Sequence, residues 1–371
     1  MNTESIESEK RIYFPELDGL RFLAFLLVFF HHRDWFPVPA FSFIHEIGWI
    51  GVDLFFALSA FLFTKLLIAE YKKTETISIK KFYIRRIFRI WPVYFLMIGI
   101  SLLYYISIDG QTLATIEPKR LWGLFTFTDN IVTAFNGYTP LPFINPLWTI
   151  SYEEQFYIFI PLLILFLVKV NTVKKIIFLV SAYLLFTGFK LTLIYFQTPH
   201  PAIWVLPISH FESILFGIVI GFNGFDFLTK RVKPFLILAL SFFFLYLYTK
   251  STPLNATSPG LILTYLFIGL STSFVLLAVI KSSYLKVVLS HPILVFLGKR
   301  SYGLYVFHQM ANTTLGDYVL GNLKIIPHTP IATLLCSLII TIVLAIFSYF
   351  LLEKPFLILK KKFEVIRSRP I

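Results

Sequence analysis

The stretch LDGLRFLAFLLVFFHH, residues 17–32, decides the fold of this chain. It has the length and apolar character of a membrane span, since about 20 mainly apolar residues cross a hydrocarbon core of about 30 Å. It also holds Asp18, Arg21, His31 and His32, and ionisable side chains are costly in hydrocarbon. The stretch therefore predicts a membrane-spanning helix that carries functional groups.

The composition of the whole chain agrees with a membrane protein. Of the 371 residues, 57% are hydrophobic and 14% are charged, and the mean hydropathy is +0.77. A soluble domain carries about 25% charged residues, so the polar surface that covers a water-soluble globule is missing. These values exclude a soluble enzyme, a disordered protein and a conventional nucleic-acid binder. The single cysteine, Cys336, excludes an intrachain disulfide.

Ten apolar stretches follow one another along the chain. We predict an all-α polytopic membrane protein that forms one domain over residues 1–371, without an appended soluble domain. The segment 1–16 lacks the apolar region and cleavage site of a secretory signal, so we expect the first span to be retained. The predicted spans are 17–35, 49–70, 82–106, 146–168, 176–196, 204–222, 234–248, 259–280, 301–316 and 330–352.

The basic residues predict the orientation of these spans. With the N-terminus inside, the connections that face the cytoplasm hold 25 of the 33 Lys and Arg residues, and the outer connections hold five. Because basic residues collect on the cytoplasmic side, both termini are predicted to lie there. A crossing by the weakly apolar stretch 121–135 would move the basic loop 169–175 outside. We therefore expect 121–135 to lie in an external connection, 107–145.

Arginines cluster at the cytoplasmic start of the third span. Arg85 and Arg89 are four residues apart and share a helix face, and Arg86 and Arg89 nearly do. Such a cluster can set topology and contact anionic lipid. Alternatively, its guanidinium groups can bind phosphate through paired donors.

Histidines and carboxylates gather towards the outer side. Glu153 and Glu154 lie in the first turns of the fourth span, at a depth similar to that of His32 and Asp53. A histidine with a carboxylate is the minimal general-base unit. The structural alternatives are dipole-favoured glutamates, an interfacial histidine and a helix-capping aspartate. Motifs typical of metal, redox or nucleoside-triphosphate chemistry are absent from the sequence, so we predict no metal site.

The first span connects the two sides. Arg21 and His32 are eleven residues apart, so they share one helix face and lie about 16 Å apart along its axis. The alternative interpretation of Arg21 is a side chain that extends to the inner membrane surface. His308 lies about midway along the ninth span.

At these residues the chain resembles the integral-membrane acyltransferase-3 family, the O-acetyltransferases of bacterial surface glycans. The matching blocks keep the family's order: LDGLRFLAFLLVFFHH (17–32), GVDLFFALSAFL (51–62), RRIFRIWPVYF (85–95), LWTISYEEQFY (147–157), GKRSYGLYVFH (298–308) and SYFLLEKPF (348–356). Phe22 and Ala60 stand where many members have glycine, which predicts a difference in helix packing or pocket width.

The resemblance implies a ten-helix fold in the bacterial inner membrane. It also implies acyl-CoA, usually acetyl-CoA, as a co-substrate rather than a tightly bound cofactor. The acceptor would be a hydroxyl of a cell-surface glycan or of its lipid-linked precursor, reached from the outer side. The other expected partner is membrane lipid, and no nucleic acid is expected.

The resemblance assigns roles to individual residues. The donor would bind at Arg21, Arg85, Arg86 and Arg89. Catalysis would rest on His32 with Glu153 or Glu154, and His32 would act as a general base or carry the acyl group itself. The acceptor would contact Asp53, His308 and Tyr302, or these residues would shape the pocket.

Two alternatives from other functional classes stay open. The chain could be a polyprenyl-linked glycan exporter or flippase that uses the same cavity, with the arginines on a lipid pyrophosphate. It could also be a structural partner in a glycan-assembly complex. The second alternative leaves the intramembrane charged groups without a use, although such groups are costly to hold.

Overall fold

A computed structural model describes residues 11–33, 42–253, 255–323 and 329–370, and this part of the chain is helical without any β-strand. Residues 34–35 of the first predicted span, and the basic residues Lys10 and Lys324, lie outside the described residues. The helices are α1 Pro15–His31, α2 Ser42–Ile47, α3 Ile50–Thr74, α4 Ile79–Ser107, α5 Pro118–Phe125, α6 Asp129–Asn136, α7 Trp148–Lys169, α8 Thr172–Tyr195, α9 Ala202–Val205, α10 Phe211–Gly221, α11 Asp226–Arg231, α12 Pro234–Thr249, α13 Leu261–Lys281, α14 Ser283–Leu289, α15 Pro292–Lys299, α16 Ser301–Met310, α17 Gly316–Leu323, α18 Pro330–Ser348 and α19 Lys354–Lys361. Two π-helical segments, Ala311–Leu315 and Tyr349–Glu353, join α16 to α17 and α18 to α19.

Six helices in the described ranges are long and apolar enough to cross a membrane. They are Ile50–Thr74, Ile79–Ser107, Asn145–Lys169, Thr172–Tyr195, Leu261–Lys281 and Pro330–Lys361. The predicted all-helical, multi-pass membrane architecture is therefore confirmed. The number of ten spans and the cytoplasmic position of the termini stay predictions, although each of the ten predicted stretches contains a helix.

The sixth predicted span is interrupted. Helix α9 ends at Val205, and α10 begins only at Phe211. Pro207 has no N–H group and disfavours helical geometry at the residue before it. Accordingly, Leu206 is extended, with φ −70° and ψ 150°. The break turns His210, the N-cap of α10, towards the protein interior, where it is buried.

Helix α3 lies at the centre of the bundle and packs against α1, α7, α10 and α13. Close approach depends on glycine: a Cβ atom on Gly51 would lie 2.3 Å from the carbonyl oxygen of Ala24. A Cβ atom on Gly217 would lie 2.5 Å from the carbonyl oxygen of Ala57 and 2.9 Å from the Cβ atom of Ala60. Ala60 thus lies in the contact between α3 and α10.

The stretch 121–135 forms parts of two short helices, α5 and α6, of eight residues each. Eight residues extend about 12 Å, which is too short for a helical crossing. The buried Arg120 side chain links them, since it donates to Asp129 at 2.9 Å and to the carbonyl of Gly137 at 2.7 Å. Burial raises the pKa of the Asp129 carboxyl, and the Arg120 guanidinium opposes this shift.

Candidate active site

A cavity of about 200 Å³ opens among α1, α3, α4, α7 and α16. Phenylalanines of α3 form much of its apolar wall. Positive charge predominates in the remaining lining, which favours an anionic ligand. The charged lining residues are Arg21, Arg86, Arg89, Lys360 and Arg369 on the basic side and Asp18 and Glu153 on the acidic side.

The first and last described segments of the chain meet at one end of the cavity, which we call its mouth. The N–H group of Ile12 donates to the carbonyl of Arg367 at 3.0 Å. Asp18 also lines the cavity. Its Oδ1 atom accepts from both Arg21, at 3.1 Å, and Arg369. Because Asp18 holds two guanidinium groups side by side, the mouth keeps an excess of positive charge.

Tyr13 completes the partners of Asp18. Its hydroxyl group donates to the Oδ2 atom of Asp18 at 2.9 Å. Burial and the neighbouring Asp18 carboxylate raise the pKa of the Tyr13 phenol above its ordinary value. Tyr13 therefore stays protonated and remains a hydrogen-bond donor.

Arg86 and Arg89 of α4 line the cavity, whereas Arg85 does not. Arg89 donates to Glu353 at 3.1 Å. The Arg86 guanidinium lies 4.7 Å from the ring centre of Phe63, and its buried Nε atom has no hydrogen-bond partner among the described residues. Of the predicted donor arginines, Arg21, Arg86 and Arg89 line the cavity, and Arg85 is separate.

Arg85 belongs to a neighbouring groove. It donates to the carbonyl of Phe363 at 2.8 Å and lies 3.5 Å from Glu70. Glu70 also accepts from the N–H group of Ser78 at 2.7 Å. These contacts connect the start of α4 to the end of α3 and to the C-terminal segment, which gives Arg85 a structural role.

The two glutamates of α7 have different surroundings. Glu153 lines the cavity and accepts from Ser59 at 3.3 Å and from Tyr157 at 2.8 Å. Glu154 is not among the lining residues, and its buried Oε1 atom has no hydrogen-bond partner within the described ranges. Of the two predicted catalytic carboxylates, the structure thus places Glu153 at the cavity.

His32 pairs with His308 rather than with a carboxylate. Its Nδ1 atom lies 2.9 Å from the carbonyl oxygen of Val28 and 3.2 Å from the Nε2 atom of His308. The Nδ1 atom of His308 faces the carbonyl oxygen of Tyr305. No hydrogen bond joins His32 to Glu153 in the part of the chain that the structure describes.

These partners define the proton positions on both rings. A carbonyl oxygen only accepts, so His308 carries its proton on Nδ1 and offers a lone pair at Nε2. His32 likewise carries its proton on Nδ1, since Val28 and His308 both present acceptors to that atom. The Nε2 atom of His32 is therefore left as a base.

Neither His32 nor His308 is among the lining residues of the cavity. The lining extends to Tyr305 along α16 and to Thr149 along α7, and we call this part the inner end of the cavity. The hydroxyl groups of these two residues lie 2.7 Å apart. His308 follows Tyr305 by three residues on α16, which is about one helical turn. Tyr302, the third predicted pocket residue, lines the cavity and donates to the carbonyl of Ile90 at 2.7 Å.

Asp53 lies in a separate buried cluster and not at the cavity. It accepts from Ser213 at 2.7 Å and lies 3.0 Å from the Nδ1 atom of His210. The Nε2 atom of His210 faces the carbonyl of Trp204 at 3.1 Å. Both ring nitrogens of His210 thus face hydrogen-bond acceptors within the buried cluster.

A second buried ion pair lies near this cluster. Lys190 of α8 donates to both carboxylate oxygens of Glu212 at 2.7 Å. Glu212 is on α10, two residues after His210. In the described ranges, no group of three or more His, Cys, Asp or Glu side chains is placed to hold a metal ion.

Several lining residues were not predicted from the sequence. Ser59 and Tyr157 contact Glu153, and the spacing of Tyr157, four residues after Glu153, was a usable signal. Tyr305 was similarly within the quoted block 298–308. Lys360 and Arg369 follow the last quoted block, and no pattern in the sequence singled them out.

The comparisons with known proteins agree with the earlier resemblance. A family model described as an acyltransferase domain matches residues 14–350. The O-acetyltransferase OatA of Staphylococcus aureus strain NCTC 8325 is 25% identical over 96% of this chain and 59% of its own length. A protein of S. aureus strain COL named as an O-acetyltransferase is 26% identical over 94% of this chain and 58% of its own length. The chain thus spans less than two thirds of these relatives, and no solved structure matches it.

Proposed function

Because the chain belongs to the acyltransferase-3 family, we propose that it is a membrane-bound O-acyltransferase. It transfers an acetyl group from cytoplasmic acetyl-CoA to a hydroxyl of a cell-surface glycan or of its lipid-linked precursor, in the bacterial inner membrane. The names of the staphylococcal relatives support an acetyl group and an oxygen acceptor. Acetyl-CoA is a substrate here, and no bound cofactor is needed.

The polarity of the cavity is the observation that carries this proposal. Its mouth is basic, with Arg21, Arg86 and Arg89 among the lining residues. Its inner end lies one helical turn from His308, which contacts His32. The Nε2 atom of His32, which has no hydrogen-bond partner among the described residues, is the proposed base. A donor with phosphates at one end and a thioester at the other fits this arrangement, because guanidinium groups bind phosphates well.

The chemistry follows from the tautomer of His32. Its Nε2 atom takes the proton of the acceptor hydroxyl while the oxygen attacks the thioester carbon. A new C–O bond forms, the C–S bond breaks, and the thiolate of CoA leaves and recovers the proton from the imidazolium. His308 keeps the ring in the correct tautomer, a role that a carboxylate has in other bases of this kind. In the acyl-histidine route, the same lone pair attacks the thioester first.

Acetyl-CoA binding and glycan acetylation test the proposal. The purified protein should bind radiolabelled acetyl-CoA, and its gene should restore O-acetyl groups to surface glycans in a deletion strain, measured by mass spectrometry. His32→Ala should keep binding but lose transfer by about 10²-fold or more, since positioned bases contribute 10² to 10⁴. His291→Ala, which changes an exposed histidine, is the matched control and should behave as the wild type.

Two results would contradict the proposal. Normal transfer by His32→Ala would exclude the role of this base. Failure of the wild-type protein to bind acetyl-CoA, together with movement of a polyprenyl-linked sugar across vesicles, would favour the exporter instead.

A further inference from the structure

The segment after α19 returns to the cavity that the family blocks form. Helix α19 ends at Lys361, and Ser368 and Arg369 lie in the cavity lining. This segment follows the part of the chain that matches the family model, which ends at residue 350. Its position is fixed by the hydrogen bond between Ile12 and Arg367.

The guanidinium group of Arg369 forms hydrogen bonds through a terminal nitrogen but not through its Nε atom. One terminal nitrogen donates to Asp18 and to the carbonyl of Gly298, the latter at 2.9 Å. The Nε atom is buried and has no hydrogen-bond partner among the described residues. The Arg369 side chain therefore retains donor capacity next to the cavity.

The charges around Arg369 do not balance. Arg369 and Arg21 share one carboxylate, that of Asp18. Lys360, which also lines the cavity, lies 3.6 Å from Glu364. Packing two guanidinium groups on one carboxylate is costly unless a further anion is bound for part of the working cycle. Phosphate is the anion that paired guanidinium groups bind best.

We propose that the segment of residues 363–370 completes the donor site, with Arg369 and Lys360 binding phosphate groups of acyl-CoA beside Arg21. The inference rests on the proposed function, because it takes acyl-CoA as the donor. It adds Arg369 from a segment that carries no family motif and Lys360 from the preceding helix α19. Asp18 acts as a positioning residue, because its carboxylate holds Arg21 and Arg369 close enough together for both to contact one phosphate.

Binding of two donors, one with and one without the phosphorylated adenosine end, tests this inference. Acetyl-CoA carries the phosphates and the adenosine, and S-acetylpantetheine has the same thioester arm without either. In lipid-free detergent, Arg369→Ala should bind acetyl-CoA about ten-fold more weakly or worse, as expected for a lost charge-assisted hydrogen bond. It should bind S-acetylpantetheine as the wild type does.

Arg367→Ala is the matched control. Arg367 is exposed, lies two residues earlier on the same segment, and contributes only its main-chain carbonyl to the contact with Ile12. This variant should bind both donors as the wild type does. Arg369→Lys should recover part of the affinity for acetyl-CoA, since it restores the charge but not the planar fork.

Three results would overturn the inference. Arg369→Ala could bind acetyl-CoA normally, or it could lose affinity for both donors equally, which would indicate a structural effect. The loss could also appear only in vesicles that contain phosphatidylglycerol, which would assign Arg369 to a lipid headgroup. Each of these leaves the proposed function intact, whereas a wild-type protein without affinity for acetyl-CoA would contradict the proposed function itself.

Discussion

His32 and His308 are 276 positions apart in the chain, yet their ring centres lie 4.9 Å apart. The contact joins the C-cap of α1 to the last turn of α16. It leaves His32 with its Nδ1 proton between two acceptors, and its Nε2 atom has no hydrogen-bond partner among the described residues. The side chain that accepts from His32 is thus an imidazole, although a carboxylate was predicted.

Substitution of His308 should lower turnover without weakening donor binding. His308→Ala removes an acceptor that selects the tautomer of His32, so we expect kcat to fall about ten-fold while the Kd for acetyl-CoA stays constant. His308→Gln restores an acceptor and should recover part of the activity. Equal loss in both variants, or a matching loss of affinity, would contradict the positioning role.

The two arginines of α4 that line the cavity, Arg86 and Arg89, should matter more for donor binding than Arg85. Arg86→Ala and Arg89→Ala should each raise the Kd for acetyl-CoA about ten-fold, because each removes a guanidinium group from the lining. Arg85→Ala should have a smaller effect, since Arg85 bonds to Glu70 and to the carbonyl of Phe363. Isothermal titration calorimetry measures all three values. The exposed Arg231 provides the control variant Arg231→Ala. If Arg85→Ala weakened donor binding as much as the two cavity substitutions do, the separation of Arg85 from the cavity arginines would be contradicted.

Isosteric substitution should distinguish the contributions of Glu153 and Glu154 to acetyl transfer. Glu153→Gln keeps an oxygen acceptor for Ser59 and Tyr157 but removes a negative charge from the cavity wall, so acetyl transfer should fall while the protein stays folded. Glu154→Gln should leave transfer close to the wild-type rate, because Glu154 does not line the cavity. Initial rates of transfer provide the measurement, and a larger loss from Glu154→Gln would reverse the assignment.

Asp53 should contribute to stability rather than to transfer. Asp53→Asn removes the carboxylate that contacts Ser213 and His210, and a lost hydrogen bond to a charged group typically costs about 1.5–3 kcal/mol. The Tm of the purified protein should fall, and the affinity of the folded protein for acetyl-CoA should not change. Asp109→Asn, at an exposed position, is the matched control. An unchanged Tm would show that the pair is dispensable.

The length of the apolar stretches makes most of the helices predictable. Each predicted span contains a helix because a long apolar segment has few other stable states in a bilayer. Hydropathy alone does not predict the break before α10, for which Pro207 is the signal in the sequence. The short helices α5 and α6 agree with the expected connection, since polar residues divide that stretch.

The candidate site was predictable only in part. Spacing placed Arg85 and Arg89 on one helix face, but packing decides which face meets the cavity, and it selects Arg86 and Arg89. The contact between His32 and His308 joins distant segments, so no local pattern reveals it. Phe22 and Ala60 were expected to affect packing or pocket width, and neither lines the cavity. Phe22 instead packs 6.2 Å from the ring centre of Phe25.

Helix α1 carries Arg21, and its C-cap residue His32 follows eleven positions later. A hydrogen-bonded helix hardly changes its length, so about 16 Å of fixed distance separates the two groups whatever the neighbouring helices do. Helix α1 therefore sets the distance between the two groups. A ligand whose charged group sits at Arg21 delivers its reactive atom to His32 only if the arm between them has the matching length. Selection among donors then depends on the reach of the arm as well as on charge.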